Sequence, residues 1–117
     1  QSIQTVSEMV GKDNANFLII LNNRIPDGID VSWIWDVDFK PIFDVAKNIF
    51  VTGDRLYDLN LRLMYENNKS IIDISEDLPT AIESIVNKTK EGKRLFILPT
   101  YSAMLEARKV LLGRKLL

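Results

Sequence analysis

The run Phe17-Leu18-Ile19-Ile20-Leu21 decides the fold, because it is the longest uninterrupted apolar stretch in the chain. Asparagines bound it on both sides, at Asn16 and Asn22. A short apolar run without polar alternation is typical of a strand that is buried on both faces, and such strands belong to parallel sheets covered by helices. We therefore expect the chain to fold around a central strand at this position.

Shorter apolar runs alternate with amphipathic stretches along the rest of the sequence. Further strands are predicted at 48–52, 70–74 and 94–98, and helices at 3–10, 42–46, 54–64, 77–90 and 101–111. Asp54 and Thr100 stand where a residue could cap the helix that follows it. Strands that alternate with helices need crossover connections, so we predict an α/β fold, a three-layer, Rossmann-like and mainly parallel sheet with helices on both faces.

The composition is that of one globular domain covering residues 1–117. Fifteen basic and sixteen acidic residues give a net charge of −1, and the basic residues are dispersed, which argues against a nucleic-acid-binding protein. No apolar run approaches the roughly 18 residues of a membrane span, and the N-terminus lacks the pattern of a secretory signal. Because the chain does not begin with methionine, we expect it to be a fragment of a longer protein that starts part-way through a helix.

The chain contains no cysteine and no histidine. Disulfides and thiolate metal sites are thereby excluded, and a zinc site is not expected. Catalysis by a Cys-His or Ser-His pair is equally excluded within this chain, and no glycine-rich ATP-binding loop of the Walker type is present. On this chemistry alone the chain is a binding or auxiliary domain.

The segment Asp30-Val-Ser-Trp-Ile-Trp-Asp-Val-Asp-Phe39 concentrates both tryptophans and three carboxylates in ten positions. Tryptophan side chains are large and apolar, so they need to be covered by something. Two interpretations stay open. Either the tryptophans close the edge of the sheet while the aspartates form turns, or the segment is presented to another protein.

Polar residues follow each predicted strand, where parallel sheets form their binding sites. These positions are Asn22-Asn23, Thr52-Gly53-Asp54, Ser75-Glu76 and Pro99-Thr100-Tyr101. Helix capping explains the turn at 52–55 better than a phosphate site does, because it has one glycine and an acidic residue at its mouth. Spacings of three and four residues between Arg55, Asp58 and Arg62 favour ion pairs within a helix, with recognition of a carboxylate as the alternative.

Three blocks of this sequence together resemble a known family. They are the segment Asp27-Gly28 through Phe39, the pattern Gly53-Asp-Arg-x-x-Asp-x-x-x-Arg-Leu-x-Tyr65, and Leu98-Pro-Thr-Tyr-Ser-Ala-Met-Leu105 followed by Arg108. In order and spacing they are similar to the C-terminal domain of MurT, the Mur-ligase-like subunit of the lipid II isoglutaminyl synthase of Gram-positive bacteria. The resemblance covers nearly the whole chain and implies a fold like the C-terminal domain of a Mur ligase.

The resemblance implies that this domain belongs to an enzyme that carries out an ATP-dependent, glutamine-hydrolysing amidation. The full subunit would convert the D-glutamate α-carboxylate of lipid II to D-isoglutamine, with ammonia from a glutaminase partner, GatD. ATP, magnesium and a structural zinc would belong to a central domain outside this chain, which itself would hold no cofactor and be inactive alone. The implied location is the cytoplasm, at the inner face of the membrane, within a heterodimer that builds the cell wall.

The resemblance also implies that an aspartate of this domain completes the Cys-His pair of GatD. We assign that role to Asp36, with Asp30 and Asp38 as alternatives, because Asp36 directly follows the aromatic pair. Trp33, Trp35, Asp30 and Asp38 are expected to bind the partner. Four further residues are expected to face the substrate or the ATP-binding domain: Arg55, Arg62, Thr100 and Tyr101. The alternative function is a docking module that binds the glutaminase, or closes over the ligase substrate, without supplying a catalytic residue.

Overall fold

A computed structural model describes residues 15–24, 30–66 and 72–113. Within them, four strands form one sheet in the order β3-β2-β1-β4, and every pairing is parallel. The strands are β1 (Ala15–Ile20), β2 (Ala46–Thr52), β3 (Ile72–Ile74) and β4 (Leu95–Pro99). All six residues of β1 are buried, as its unbroken apolar run predicts. The predicted α/β class with a parallel sheet is confirmed.

Helices connect the strands at the predicted places. The described helices are a 3-10 helix (Ser32–Asp36), α1 (Lys40–Val45), α2 (Leu56–Glu66), α3 (Leu78–Lys88) and α4 (Tyr101–Gly113). The helix predicted at 3–10, the turn residues 25–28 and the first two residues of the third predicted strand lie outside the described residues. None of the described helices is long and apolar enough to cross a membrane.

Two apolar clusters lie on opposite faces of the sheet. Alternate β1 residues Phe17 and Ile19 point into the first, against α2, α1 and the 3-10 helix. Leu18 and Ile20 point into the second, where α3 and α4 cover the sheet. The alternation of side chains along a strand thus divides one continuous apolar run between two cores. This division explains why the run at 17–21 shows no polar alternation.

Turns after β1, β2 and β4 are joined by the side chain and backbone of Asn22, which is almost fully buried. Its side-chain oxygen Oδ1 accepts the backbone N–H of Asp54, and its side-chain nitrogen Nδ2 donates to the hydroxyl of Ser102. Its own backbone N–H donates to the hydroxyl of Thr100. One asparagine therefore fixes the strand-to-helix turns on both neighbouring strands.

One predicted cap, Asp54, is corrected by these contacts. The carboxylate of Asp54 pairs with Arg24, at 3.1 Å from Nε, and α2 begins only at Leu56. Thr100 stands directly before α4, as predicted, and its backbone carbonyl oxygen accepts the N–H of Met104 at 2.9 Å, while its hydroxyl accepts the backbone N–H of Asn22. At α3 the capping residue is Asp77, whose carboxylate accepts hydrogen bonds from the hydroxyl and the backbone N–H of Thr80, and these bonds lower the pKa of Asp77.

Candidate functional site

The segment rich in tryptophan and aspartate is a short 3-10 helix held against α2. Ile34 is buried in the first cluster, and Val31 and Phe39 are buried on either side of it. Trp33 and Trp35, which flank Ile34, are 45% and 47% exposed. The segment is therefore anchored by its aliphatic and phenylalanine side chains. Its tryptophans keep about half of their surface available to another molecule.

The three carboxylates of this segment differ in what they contact. Asp30 accepts the backbone N–H of Ser32 at 2.9 Å, and this bond, with a second one from the Ser32 side chain, holds the pKa of Asp30 below its ordinary value. Asp38 accepts the backbone N–H of Lys40 at 3.0 Å, at the start of α1. Both residues form turns, which is the role that the first interpretation of this segment gave to its aspartates.

Asp36 is the last residue of the 3-10 helix and is exposed. Among residues 15–24, 30–66 and 72–113, its carboxylate makes neither a hydrogen bond nor an ion pair. Of the three carboxylates in the segment, Asp36 is thus the one whose oxygens are not used by the described part of the chain. Its position fits a side chain that contacts another molecule.

Arg62 of α2 holds the backbone around Asp36. Its side chain is largely buried; Nε donates to the carbonyl oxygen of Ile34 at 2.9 Å, and Nη2 donates to the carbonyl oxygen of Val37. Its Nη1 lies 3.1 Å from Oε2 of Glu66, and the same Glu66 oxygen accepts the backbone N–H of Phe39 at 3.2 Å. One ion pair within a helix thereby binds three backbone groups of the segment.

The guanidinium of Arg62 also lies against aromatic rings. It is 5.5 Å from the centre of the Trp35 ring and 5.3 Å from that of Phe39. Both distances are within the range of cation–π attraction. Trp35 in turn meets Tyr65 edge to face, with ring centres 5.2 Å apart.

The aromatic contact continues into an exposed apolar stripe on α2. Tyr57, Leu61, Met64 and Tyr65 lie at helical spacing on the side away from the sheet, and each is at least half exposed. Two buried leucines of the same helix, Leu59 and Leu63, face the core. Trp35 and the α2 stripe together form a continuous surface of large apolar side chains, which we call the Trp35–α2 surface.

A cleft of about 470 Å³ lies at the carboxyl ends of β1 and β2, beside α2 and α3. Arg24 is paired there with Asp54 and with Glu106 of α4. At its rim the hydroxyl of Tyr57 donates to Glu76 at 2.6 Å, which raises the pKa of Tyr57. The cleft has the position expected of a ligand site in a parallel sheet, and its Arg24, Asp54 and Glu106 side chains are paired with one another.

The remaining sequence-predicted residues have different environments. Arg55 pairs with Asp58 at 2.6 Å, in the ion pair that their spacing favours, and this bond raises the pKa of Arg55. Arg62 directs its donors into its own domain, which favours a positioning role over contact with substrate. Thr100 lines an apolar groove of about 270 Å³ together with Trp33 and Leu98. Tyr101 begins α4, and its side chain lies outside the described residues.

Asn22, Glu66 and Arg24 are structural contributors that sequence reasoning did not assign. Glu66 stands four residues after Arg62, a spacing that predicts an ion pair, but its bond to the backbone of Phe39 depends on tertiary packing. No cluster of three or more carboxylates suited to a metal ion occurs in the part of the chain that the structure describes. The expectation about cofactors remains a prediction.

The fold and this site define an α/β domain whose carboxyl-edge segment presents aromatic and acidic side chains to its surroundings. Comparison with known proteins gives the family: the profile of the MurT ligase C-terminal family matches residues 1–104. The chain belongs to this family.

Two curated relatives are similar to the chain. It is 37% identical over 102 residues to the lipid II isoglutaminyl synthase (glutamine-hydrolyzing) subunit MurT of Streptococcus pneumoniae, an alignment that covers 84% of this chain and 22% of that protein. It is 32% identical over 90 residues to the subunit of the same name from Staphylococcus aureus strain COL, covering 75% of this chain and 20% of that protein. The chain thus spans about a fifth of the length of the curated relatives that it matches.

Proposed function

We propose that this domain is the C-terminal part of an amidotransferase subunit and supplies Asp36 to the active site of a glutaminase partner. The whole subunit would use ATP to amidate the D-glutamate α-carboxylate of lipid II with ammonia released by a GatD-like partner. Membership of the MurT family and the names of the relatives, which specify a glutamine-hydrolysing synthase, support this activity. The proposal includes a cytoplasmic location at the inner membrane face, and ATP, magnesium and zinc in a part of the subunit outside this chain.

The observation that carries the proposal is the difference between the three carboxylates. Asp30 and Asp38 accept backbone N–H groups within their own turns, whereas Asp36 is exposed and makes no such bond within the described residues. A carboxylate that serves another protein must be accessible and must keep acceptor positions free. Asp36 satisfies both conditions and lies at the end of a helix whose backbone is fixed by Arg62.

A carboxylate in this position would act on a histidine of the partner. By accepting the N–H of one ring nitrogen it fixes the tautomer, so that the other nitrogen can take the proton of the cysteine thiol. It then stabilises the imidazolium that this transfer creates. Asp36 would need no nucleophile or base from its own chain, which has neither histidine nor cysteine.

A second function, docking without a catalytic contribution, is favoured by the exposed aromatic residues. Trp33, Trp35 and Tyr65 are large, partly exposed side chains of the kind that dominate the energy of protein interfaces. Both functions place the partner at the same surface. They differ in whether Asp36 takes part in catalysis. Under pure docking, a change of its carboxylate to an amide would leave glutamine hydrolysis unaltered.

The test uses the full-length subunit together with its glutaminase. Asp36→Asn keeps the size of the side chain and removes its charge, so binding should persist while kcat for glutamine hydrolysis falls by a factor of about 10² to 10⁴, in analogy with the serine proteases. Asp44→Asn, an exposed aspartate paired with Lys40, is the matched control and should keep full turnover. Normal turnover in Asp36→Asn would refute the proposal, and a loss confined to Asp30→Asn or Asp38→Asn would transfer the role to that residue.

A further inference from the structure

Basic side chains from two distant parts of the sequence meet at the amino edge of the sheet, where its parallel strands begin. One of them is the second residue of β2. The other four lie at the end of α3 and in the turn that leads to β4. All five are exposed, and we call them the amino-edge patch: Lys47, Lys88, Lys90, Lys93 and Arg94.

The buried residue Asn16, near the start of β1, holds the two parts of the patch together. Its side-chain Nδ2 donates to the hydroxyl of Thr89, and its Oδ1 accepts Nδ2–H of Asn48, both at 2.9 Å. Its backbone N–H donates to the carbonyl oxygen of Arg94 at 3.1 Å. Asn48 directly follows Lys47, and Thr89 directly follows α3. Tertiary hydrogen bonds therefore bring together basic residues that are far apart in the sequence.

Only one ammonium group of the patch has a carboxylate partner in the part of the chain that the structure describes. Lys88 lies 3.8 Å from the carboxylate of Asp73. The ammonium groups of the other three lysines make neither a hydrogen bond nor an ion pair with a described residue; these are Lys47, Lys90 and Lys93. Most of the positive charge of the patch is therefore available to another molecule.

The two edges of the sheet differ in charge. The cleft at the carboxyl ends of the strands is lined by several carboxylates, among them Asp54, Glu76 and Glu106. At the strand starts and in the turn at 88–94, the described carboxylates are those of Asp73 and Glu91, beside five basic residues. The edges are about 20 Å apart, since each residue of a strand adds about 3.3 Å. The net charge of −1 thus conceals a positive edge.

We propose that the amino-edge patch binds the anionic surface of a lipid membrane. The inference rests on the part of the proposed function that gives the whole subunit a lipid-linked substrate, and the names of the curated relatives specify lipid II. Basic residues close to anionic headgroups each strengthen binding about fivefold. Contact through the patch holds the subunit at the surface in which such a substrate is anchored.

The residue types in the patch fit a membrane better than an ordered protein or nucleic-acid partner. Four of the five are lysines. Lysine carries a compact charge on a flexible stem, which suits a fluid array of headgroups, whereas specific recognition of single carboxylates or phosphates favours the rigid fork of arginine. The binding expected here is therefore electrostatic and weakened by salt.

The test measures co-sedimentation of the full-length subunit, together with the proposed glutaminase partner, with lipid vesicles. Vesicles of equal parts phosphatidylcholine and phosphatidylglycerol should bind the protein, and vesicles of phosphatidylcholine alone should not. Lys90→Gln combined with Lys93→Gln should weaken binding to the anionic vesicles about 20-fold. The control combines Lys40→Gln with Arg108→Gln, which removes the same charge from exposed residues of α1 and α4, and should match the parent.

Lys47→Gln tests whether the two parts of the patch act as one surface. It should weaken binding to the anionic vesicles about fivefold, although Lys47 is far in sequence from the turn at 88–94. Unchanged binding in this variant, an equal loss in the control, or no binding of the parent to anionic vesicles would each overturn the inference. Binding of the parent to heparin but not to the vesicles would show another anionic partner and would overturn it as well.

The outcomes also distinguish this inference from the proposed function, because vesicle binding requires neither glutamine nor Asp36. Normal turnover in Asp36→Asn, with loss of vesicle binding in the lysine variants, refutes the catalytic role and supports the membrane contact. A large loss of turnover in Asp36→Asn, with vesicle binding unaltered in the lysine variants, refutes the membrane contact alone.

Discussion

Gly53 shows how a single residue determines the geometry of the carboxyl edge. Its φ is +112°, in a region that side chains rarely adopt, and a Cβ atom placed on it would lie 2.4 Å from the carbonyl oxygen of Leu21. The same carbonyl accepts the backbone N–H of Arg55 at 3.0 Å. The turn after β2 therefore packs directly on the end of β1, and only glycine leaves room for it.

We predict that Gly53→Ala destabilises the chain by about 3 kcal/mol or more, because strain and a clash with backbone act together. Gly92 is the matched control, since its φ is +83° but a Cβ atom added to it would meet no other atom within 4 Å. Gly92→Ala should cost about 1 kcal/mol, from conformational strain alone. Urea denaturation of both variants measures the difference, and equal losses would contradict the close approach.

For single residues, the sequence could predict contacts between near neighbours but not contacts that depend on the tertiary fold. The spacing of Arg55 and Asp58 predicted an ion pair that is present. The carboxylates of Asp54, Asp36 and Asp38 could not be told apart by spacing, because their environments depend on how the chain folds around them. Asp54, for example, pairs with Arg24, thirty positions earlier, in place of the cap that local pattern favoured.

The two sides of α2 have different surroundings. Leu59 and Leu63 bury one side against the sheet, while Tyr57, Leu61 and Met64 are left on the other. Isolated exposed apolar residues are common on proteins, but here they continue from Trp35 and Tyr65 into one surface. A specific interface buries about 800 Å² on each partner, which is more than a five-residue 3-10 helix can supply. The Trp35–α2 surface offers the additional area beside Asp36.

We predict that Leu61→Gln weakens binding of the full-length subunit to the proposed glutaminase partner by about tenfold, because it removes apolar contact area at the proposed interface. Glutamine is a good helix former, so α2 should remain folded. Isothermal titration calorimetry measures Kd, and kcat at saturating subunit should stay near that of the parent.

Leu112→Gln is the control for this prediction. Leu112 is 55% exposed and Leu61 is 50% exposed, but Leu112 lies on α4, which covers the opposite face of the sheet. Binding of Leu112→Gln should equal that of the parent. Similar losses in the two variants would mean that the partner does not bind at the Trp35–α2 surface.

Most elements could be predicted from periodicity, because helix and strand spacing are properties of local sequence. The strand predicted at 48–52 extends back to Ala46, and the one predicted at 94–98 is shifted by one residue. The segment at 30–39 showed no clear period, so its 3-10 helix could not be predicted. That helix depends on bonds from Arg62 and Glu66, which local pattern does not reveal.

At the scale of the whole molecule, the sheet separates two helical layers with different surfaces. The layer formed by α2, α1 and the 3-10 helix carries the tryptophans, Asp36, Arg62 and Glu66. The layer formed by α3 and α4 covers the other core. Because strand ends meet at one edge, the fold brings the 3-10 helix close to the ends of β1 and β4, where Trp33 lines a groove with Leu21 and Leu98.

The central claim is that Asp36 completes the catalytic group of another protein, and a structure of the full-length subunit bound to its glutaminase tests it most directly. The measured quantity is the distance from the carboxylate oxygens of Asp36 to the nearer ring nitrogen of the partner's catalytic histidine. We expect a hydrogen bond of about 2.6 to 3.2 Å, with Arg62 still bound to the carbonyl groups of Ile34 and Val37. An Asp36 carboxylate directed into solvent, with the histidine bound by another residue, would contradict the claim.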